Sequence, residues 1–143
     1  MAVRVKLAVR NRETGAYLEL VALVNSGFET ETPQLLLPVA AARELDLWPV
    51  RPEANRATYD TAGGPIGVWI YPRVLSIRVV AEDVKAPEVV ADAVVSTVER
   101  EPLISDKLMS ALQIAIEDGG EGLWRFRFEG LDRLRRSEEP QFW

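Results

Sequence analysis

The apolar run Leu20-Val21-Ala22-Leu23-Val24 ends abruptly on Asn25-Ser26-Gly27. Asn25 carries an amide that donates and accepts hydrogen bonds but neither takes up nor releases a proton in the working pH range. Ser26 adds a hydroxyl, and Gly27 adds backbone that can take positive φ or be approached closely. On residue type alone the triplet is also an ordinary turn, because Asn and Ser side chains bond nearby backbone. A second sequence of related composition, Tyr59-Asp60-Thr61-Ala62-Gly63, has an extra Ala and follows the polar stretch Arg56-Ala57-Thr58. That stretch is too polar to be the buried support of a reactive loop. Asp60 therefore reads as a residue of a hairpin whose tip is loosened by Gly63 and Gly64.

Composition narrows the chemistry further. The chain has no Cys and no His. Disulfides, thiolate catalysis and zinc-thiolate sites are excluded, as are Ser-His-Asp and Cys-His catalysis and imidazole metal sites. Carboxylates, hydroxyls, Lys, Tyr and backbone amides remain. Asp106, next to Ser105, fits the start of a helix, with Ser105 as N-cap and Asp106 favoured by the helix dipole. Glu117 and Asp118 precede Gly119-Gly120 without the spacing of a calcium loop, so they read as a solvated turn. Arg133, Arg135 and Arg136 are followed at once by Glu138 and Glu139 and read as a solvated tail. The net charge of −5 argues against a nucleic-acid partner, which would require a basic field. No metal or cofactor is expected.

The elements that must position these residues are mostly strands. Val3, Val5, Leu7 and Val9 alternate with charged residues, as a half-buried strand requires. Tyr17 to Val24 is a second strand and Gln34 to Leu37 a third. Pro38 opens a helix that ends at Leu45 and Leu47. Ala57 to Tyr59 enters the Gly-rich hairpin, Val68 to Tyr71 leaves it, and Val74 to Val80 follows as a separate strand. Val89 to Val98 is an interior strand by its Val content. The stretch "EPLISDKLMSALQI" is a second helix, with Leu108 and Leu112 facing the core. Ile114 to Ile116 and Leu123 to Phe128 are the last strands. The second of these either completes the core or joins a sheet with a partner chain. Past Gly130 the pattern fails, and residues 131–143 are expected as a short helix plus a loose, disorder-prone tail. At 143 residues the chain fits one domain, residues 1–130, with this tail attached. No apolar run is long enough to span a membrane, and the N-terminal stretch alternates in the manner of a strand rather than a signal peptide. The expected location is the cytoplasm. Few amides, no Cys, many Glu and Arg, and loop prolines are the composition of a thermophile.

In this order the segments resemble the retroviral-type, retropepsin-like aspartic proteases, specifically the short cytoplasmic members of prokaryotes. "VALV" meets Asn25-Ser26-Gly27 where that family has Asp-Thr/Ser-Gly. "LLLPVAAARELDL" follows at the family's distance, "TAGG" stands at the place of the flap hairpin, and "PLISDKLMSALQI" is similar to the later strand-to-helix segment. The resemblance covers about residues 3–128. It implies a mainly β lobe of closed, folded sheets with short helices, working as a homodimer with one peptide cleft on the two-fold axis. It also implies aspartic endopeptidase activity on a peptide or protein substrate. Asn25, Ser26 and Gly27 would occupy the catalytic positions, with Ser26 holding the two loops in register. Phe28, Glu29, Thr61, Ala62, Gly63 and Gly64 would contact substrate.

Two positions depart from the family. Asn25 replaces the catalytic Asp, and Ser105 stands where Gly is usual. Aspartic proteolysis needs two carboxyls that share one proton, and an amide cannot replace either. As written, the chain is expected to be silent. Asn25 is open to several readings: a natural pseudo-enzyme that binds peptide, an inactivating substitution, an Asn-Ser pair that deamidates to Asp, or a plain turn residue. The alternative function is a non-catalytic peptide-binding or assembly module on the same fold.

Overall fold

The computed structural model describes residues 2–143. β1 (Arg4–Asn11) and β2 (Tyr17–Val24) form an antiparallel hairpin in which Val5, Leu7 and Val9 are buried and Lys6 and Arg10 exposed. Asn11 closes the hairpin from inside the core. Its amide donates to the Leu45 carbonyl at 2.8 Å, and its Oδ1 accepts from the amides of Glu13 and Thr14. A buried polar side chain is tolerated where it is bonded in this way.

β3 (Gln34–Pro38) is buried throughout, and α1 (Val39–Glu44) starts directly after Pro38, whose φ of −59° suits that position. Leu45 and Leu47 follow the helix and are fully buried, as expected. β4 (Asn55–Thr61) and β5 (Gly64–Val79) form a long hairpin. β6 (Val89–Ser96) is an interior strand, β7 (Leu103–Ile104) is only two residues long, and α2 (Asp106–Ala111) follows it. β8 (Ile114–Asp118), β9 (Leu123–Phe126) and β10 (Arg135–Arg136) complete the chain.

The protein is mainly β, with one mixed sheet ordered β1-β2-β7-β3-β6-β5-β4. β1 also pairs with β5, so every strand of this sheet but β4 belongs to a closed ring, and β4 extends outward from β5, while β8, β9 and β10 form a separate small sheet. Two ladders are parallel, β2 with β7 and β3 with β6. The core fills the ring, with Leu7, Leu20, Leu35, Leu37, Leu75 and Ile77 at its centre. No helix among the described residues is long and apolar enough to cross a membrane.

The second helix is shorter than expected: Leu103–Ile104 of "EPLISDKLMSALQI" form β7, and α2 starts only at Asp106. Two further sequence expectations are corrected. Val68–Tyr71 and Val74–Val80 are not separate strands. They are the two halves of β5, joined through a register shift against β6 between Tyr71 and Leu75. Pro72 reads as a break because it lacks a donor for the ladder, yet a bulge tolerates it. Arg73 takes a left-handed φ of 53° there. Its amide donates to Asp92 Oδ1 at 2.8 Å, and its carbonyl accepts from Arg12.

The second correction concerns the end of the chain. The segment after Gly130 contains no helix, and β10 pairs with β9 instead. Ser137, Glu138 and Gln141 bond the backbone of Arg4 and Val21, and the Trp143 amide donates to the Arg100 carbonyl. β9 thus has both of its partners, β8 and β10, in its own chain. Trp124 and Phe126 face the main core.

Arg135 joins this segment to the loop before β6 by bonding both Asp83 and Glu129. The hydrogen bond from Arg135 holds the Asp83 carboxyl down at about 2 and the Glu129 carboxyl below its ordinary range. A carboxylate with a lowered folded pKa stabilises the fold above its unfolded pKa and loses that effect as pH falls toward the folded value. The thermal midpoint should therefore decline as pH falls from about 4 to about 2. An Asp83→Asn variant should show a shallower decline, followed by circular dichroism. An equally steep curve would remove Asp83 from the acid response.

Candidate functional site

β2 ends at Val24, and residues 25–33 loop across to β3. The short strand β7 fixes both ends of this loop, since Ile104 lies beside Val24 on one side and Leu35 on the other. The Asn25 amide donates to the Ile104 carbonyl at 3.1 Å. The Asp106 amide donates to the Phe28 carbonyl at 2.9 Å, and Asp106 Oδ1 accepts from the Thr30 amide at 3.0 Å. Asp106 is thus a clamp on the loop as well as the first residue of α2.

Ser105 is fully buried and caps α2, as its place before Asp106 suggests. Its Oγ accepts from Leu108 N at 3.2 Å and from Gln34 N at 3.1 Å, tying the helix to the first residue of β3. Ser105→Ala leaves two buried amides without an acceptor and should cost about 1–3 kcal/mol in urea unfolding. A loss below a few tenths would mean that the hydroxyl is not a structural joint.

Within the loop, residues 25–28 form a tight turn. The Phe28 amide donates to the Asn25 carbonyl at 3.0 Å and the Gly27 amide to Asn25 Oδ1 at 3.1 Å. Asn25 is half-buried, while Ser26 and Gly27 are exposed. The Ser26 amide and Asn25 Nδ2 have no hydrogen-bond partner among the described residues. Deamidation needs that amide nitrogen to attack the Asn25 side-chain carbonyl and expel ammonia, with water then opening the ring. A donor on Oδ1 assists the attack. In aged samples, peptide mapping should find Asn25 converted ahead of Asn11, whose side chain is buried and bonded through both its oxygen and its nitrogen. Equal conversion at both would dismiss the local effect.

The hairpin tip stands across from the loop. Thr61 pairs with Gly64 around the turn Ala62-Gly63, and Thr61 Oγ1 donates to the Gly64 carbonyl at 2.6 Å and accepts from the Gly63 amide. Gly64 has φ +106°, a conformation that side chains rarely adopt. Asp60 lies in β4, as expected of a hairpin residue.

Between loop and hairpin lies an open cleft of about 1310 Å³. Asn25, Gly27, Phe28 and Glu29 line one side, and Thr61, Ala62 and Gly63 the other. Ser26 and Gly64 belong to the same turns but do not line it. The floor is apolar, with Leu36, Ile66 and Leu103. Trp69, on the hairpin, is not part of the lining. It packs edge-on against Trp48 at 5.6 Å and lies under Arg56.

Sequence reasoning missed the group that joins the two walls. The Tyr59 hydroxyl donates to Gln34 Oε1 at 2.6 Å, and its ring meets Phe28 at 5.9 Å. Gln34 Nε2 reaches Asp92 Oδ2, which also accepts from Thr32 Oγ1 at 2.6 Å. Burial pushes the Tyr59 phenol up, and the charge of Asp92 adds to this against the bond to Gln34. The available signal was the pair of buried polar residues in apolar strands, Gln34 before "LLLP" and Asp92 within "VVADAVV".

Chemically, the arrangement can hold an extended chain between a polar turn and a hairpin, with apolar contacts below. The side chain at the head of the turn is an amide, so it can bond a peptide group but not move a proton. No protein-family model matches the sequence, and no curated protein matches it either.

Proposed function

We propose that this chain is a retropepsin-like lobe, by lineage an aspartic endopeptidase, that pairs with a second copy and is silent in peptide hydrolysis because Asn25 holds the position of the catalytic carboxyl. The observation that carries this reading is the meeting of Asn25 and the Thr61-Ala62-Gly63 tip on one cleft. They lie on distant segments, and the order of those segments along the chain is the one the resemblance implies. The short strand β7 and helix α2 beneath the loop agree with the same reading.

In this reading two loops meet at a two-fold axis and Asn25 of each copy faces the other. Two amides there cannot share a proton or activate water. The exposed backbone of Gly27 and the hairpin tip would still bond an extended peptide. A second function therefore stands beside the first, a non-catalytic peptide-binding module. It is favoured by the intact cleft around an amide already bonded into its own turn.

The test pairs the protein with its Asn25→Asp variant on casein and a peptide library from pH 3 to 7, with a statine-type inhibitor as control. Sedimentation equilibrium on both should give a dimer. Monomers at every concentration would sink the paired-lobe reading.

A further inference from the structure

The cleft is acidic at its rim. Glu29 and Glu31 on the loop, Asp60 on β4 and Glu99 after β6 all line it, and no Lys or Arg does. None of these carboxylates has an ion pair or a side-chain hydrogen bond among the described residues. Several acids elsewhere are paired with bases, as in Arg4 with Glu101, Lys6 with Glu19, and Arg135 with Glu129. Unpaired like charges around one concavity repel each other and focus a negative potential into it.

Two further features describe the occupant. The floor of Leu36, Ile66 and Leu103, with Phe28 on the wall beside it, is apolar and suits buried side chains. β4 is the terminal strand of its sheet, so its outer edge leaves backbone donors and acceptors open beside the cleft. An open strand edge flanking a groove takes an extended chain, with alternate side chains entering pockets.

We infer that the cleft selects extended cationic peptides, in which Lys or Arg side chains reach the Glu29, Glu31, Asp60 and Glu99 rim while the residues between them pack on the apolar floor. This names the ligand class for the proposed peptide cleft and rests on that reading. It holds whether the bound peptide is cleaved or only retained. The charges act through long-range attraction and rim pairing, so they set selectivity and are weakened by salt.

The experiment is calorimetric titration of the full chain with three octapeptides. They share apolar residues at alternate positions and carry Lys, Gln or Glu at the others. At about 20 mM salt the Lys peptide should bind about tenfold tighter than the Gln peptide, with the Glu peptide weakest, and at about 300 mM most of that difference should vanish. A variant carrying Glu29→Gln, Glu31→Gln, Asp60→Asn and Glu99→Gln should bind the Lys and Gln peptides alike. The Glu29→Gln/Glu31→Gln pair, confined to the loop, should show part of the loss if the fourfold variant is unstable. Equal affinity for Lys and Gln peptides at low salt would overturn the cationic selectivity and leave the peptide cleft standing. An unchanged Lys preference in a folded fourfold variant would overturn it too, by placing the attraction elsewhere. Binding of none of the three would overturn both the selectivity and the cleft.

Discussion

Under the proposed function, Asn25→Asp should create an acid-active peptidase. A positioned general acid or base contributes about 10²–10⁴-fold, and in a paired lobe the substitution restores both carboxyls at once. The gain should thus exceed about 10⁴-fold over the protein as it stands. The environment suits a carboxylate. The Gly27 amide already donates to Oδ1, and that bond would favour the ionised form of one Asp. A second carboxylate within hydrogen-bond reach would push its partner's pKa up, so that one proton is shared. Activity should peak on the acid side of neutrality and disappear with a statine-type inhibitor. If the variant stays inert while dimeric, the missing chemistry is more than one side chain, and the binding-module reading takes over.

The largest stability effect is expected from Phe126→Ala, at about 3–5 kcal/mol in denaturant unfolding. Phe126 is fully buried, and it packs edge-on against Trp124 at 5.1 Å and stacked on Phe128 at 4.9 Å. Arg135 lies over its outer face at 5.0 Å. Removing the ring opens a cavity at the point where β9 plugs the main core. It also takes away the surface on which Arg135 rests. Arg127→Ala is the control: Arg127 is exposed and, among the described residues, its guanidinium bonds only the Ser110 carbonyl, so the change should cost well under 1 kcal/mol. Similar losses for the two variants would mean that the small sheet is not part of the cooperative core.

Most strands were readable because their cause is local. Alternation in Val5-Leu7-Val9, the apolar run ending at Val24 and the Gly-rich hairpin each state their own pattern, and each is a strand or hairpin in the structure. Ser105 was readable as a cap for the same reason. What escaped depends on distant partners. Pro72 breaks a ladder on propensity alone, and only the Asp92 carboxylate facing the Arg73 amide shows that the strand continues. The final segment has no periodicity, and it is placed by bonds to Arg4, Val21 and Arg100, far away in the chain. At the candidate site, Asn25, Phe28, Glu29 and the hairpin tip were legible from motif order. The Tyr59–Gln34 bond was not, because a polar residue in an apolar strand marks itself but not the partner on another strand that it meets.

The continuity of β5 also has mechanical meaning. The hairpin over the cleft is the free end of a stave that is built into the closed ring, so it behaves as a cantilever rather than a gate on a loop. β6 clamps it from Val68 inward, so the span left free to bend is the tip beyond Val68. Deeper in, at the register shift, the Arg73 amide is held by Asp92, and the same carboxylate holds Thr32 and Gln34 at the cleft wall. The root of the beam and the wall of the cleft are thus tied to one acidic side chain well away from the tip.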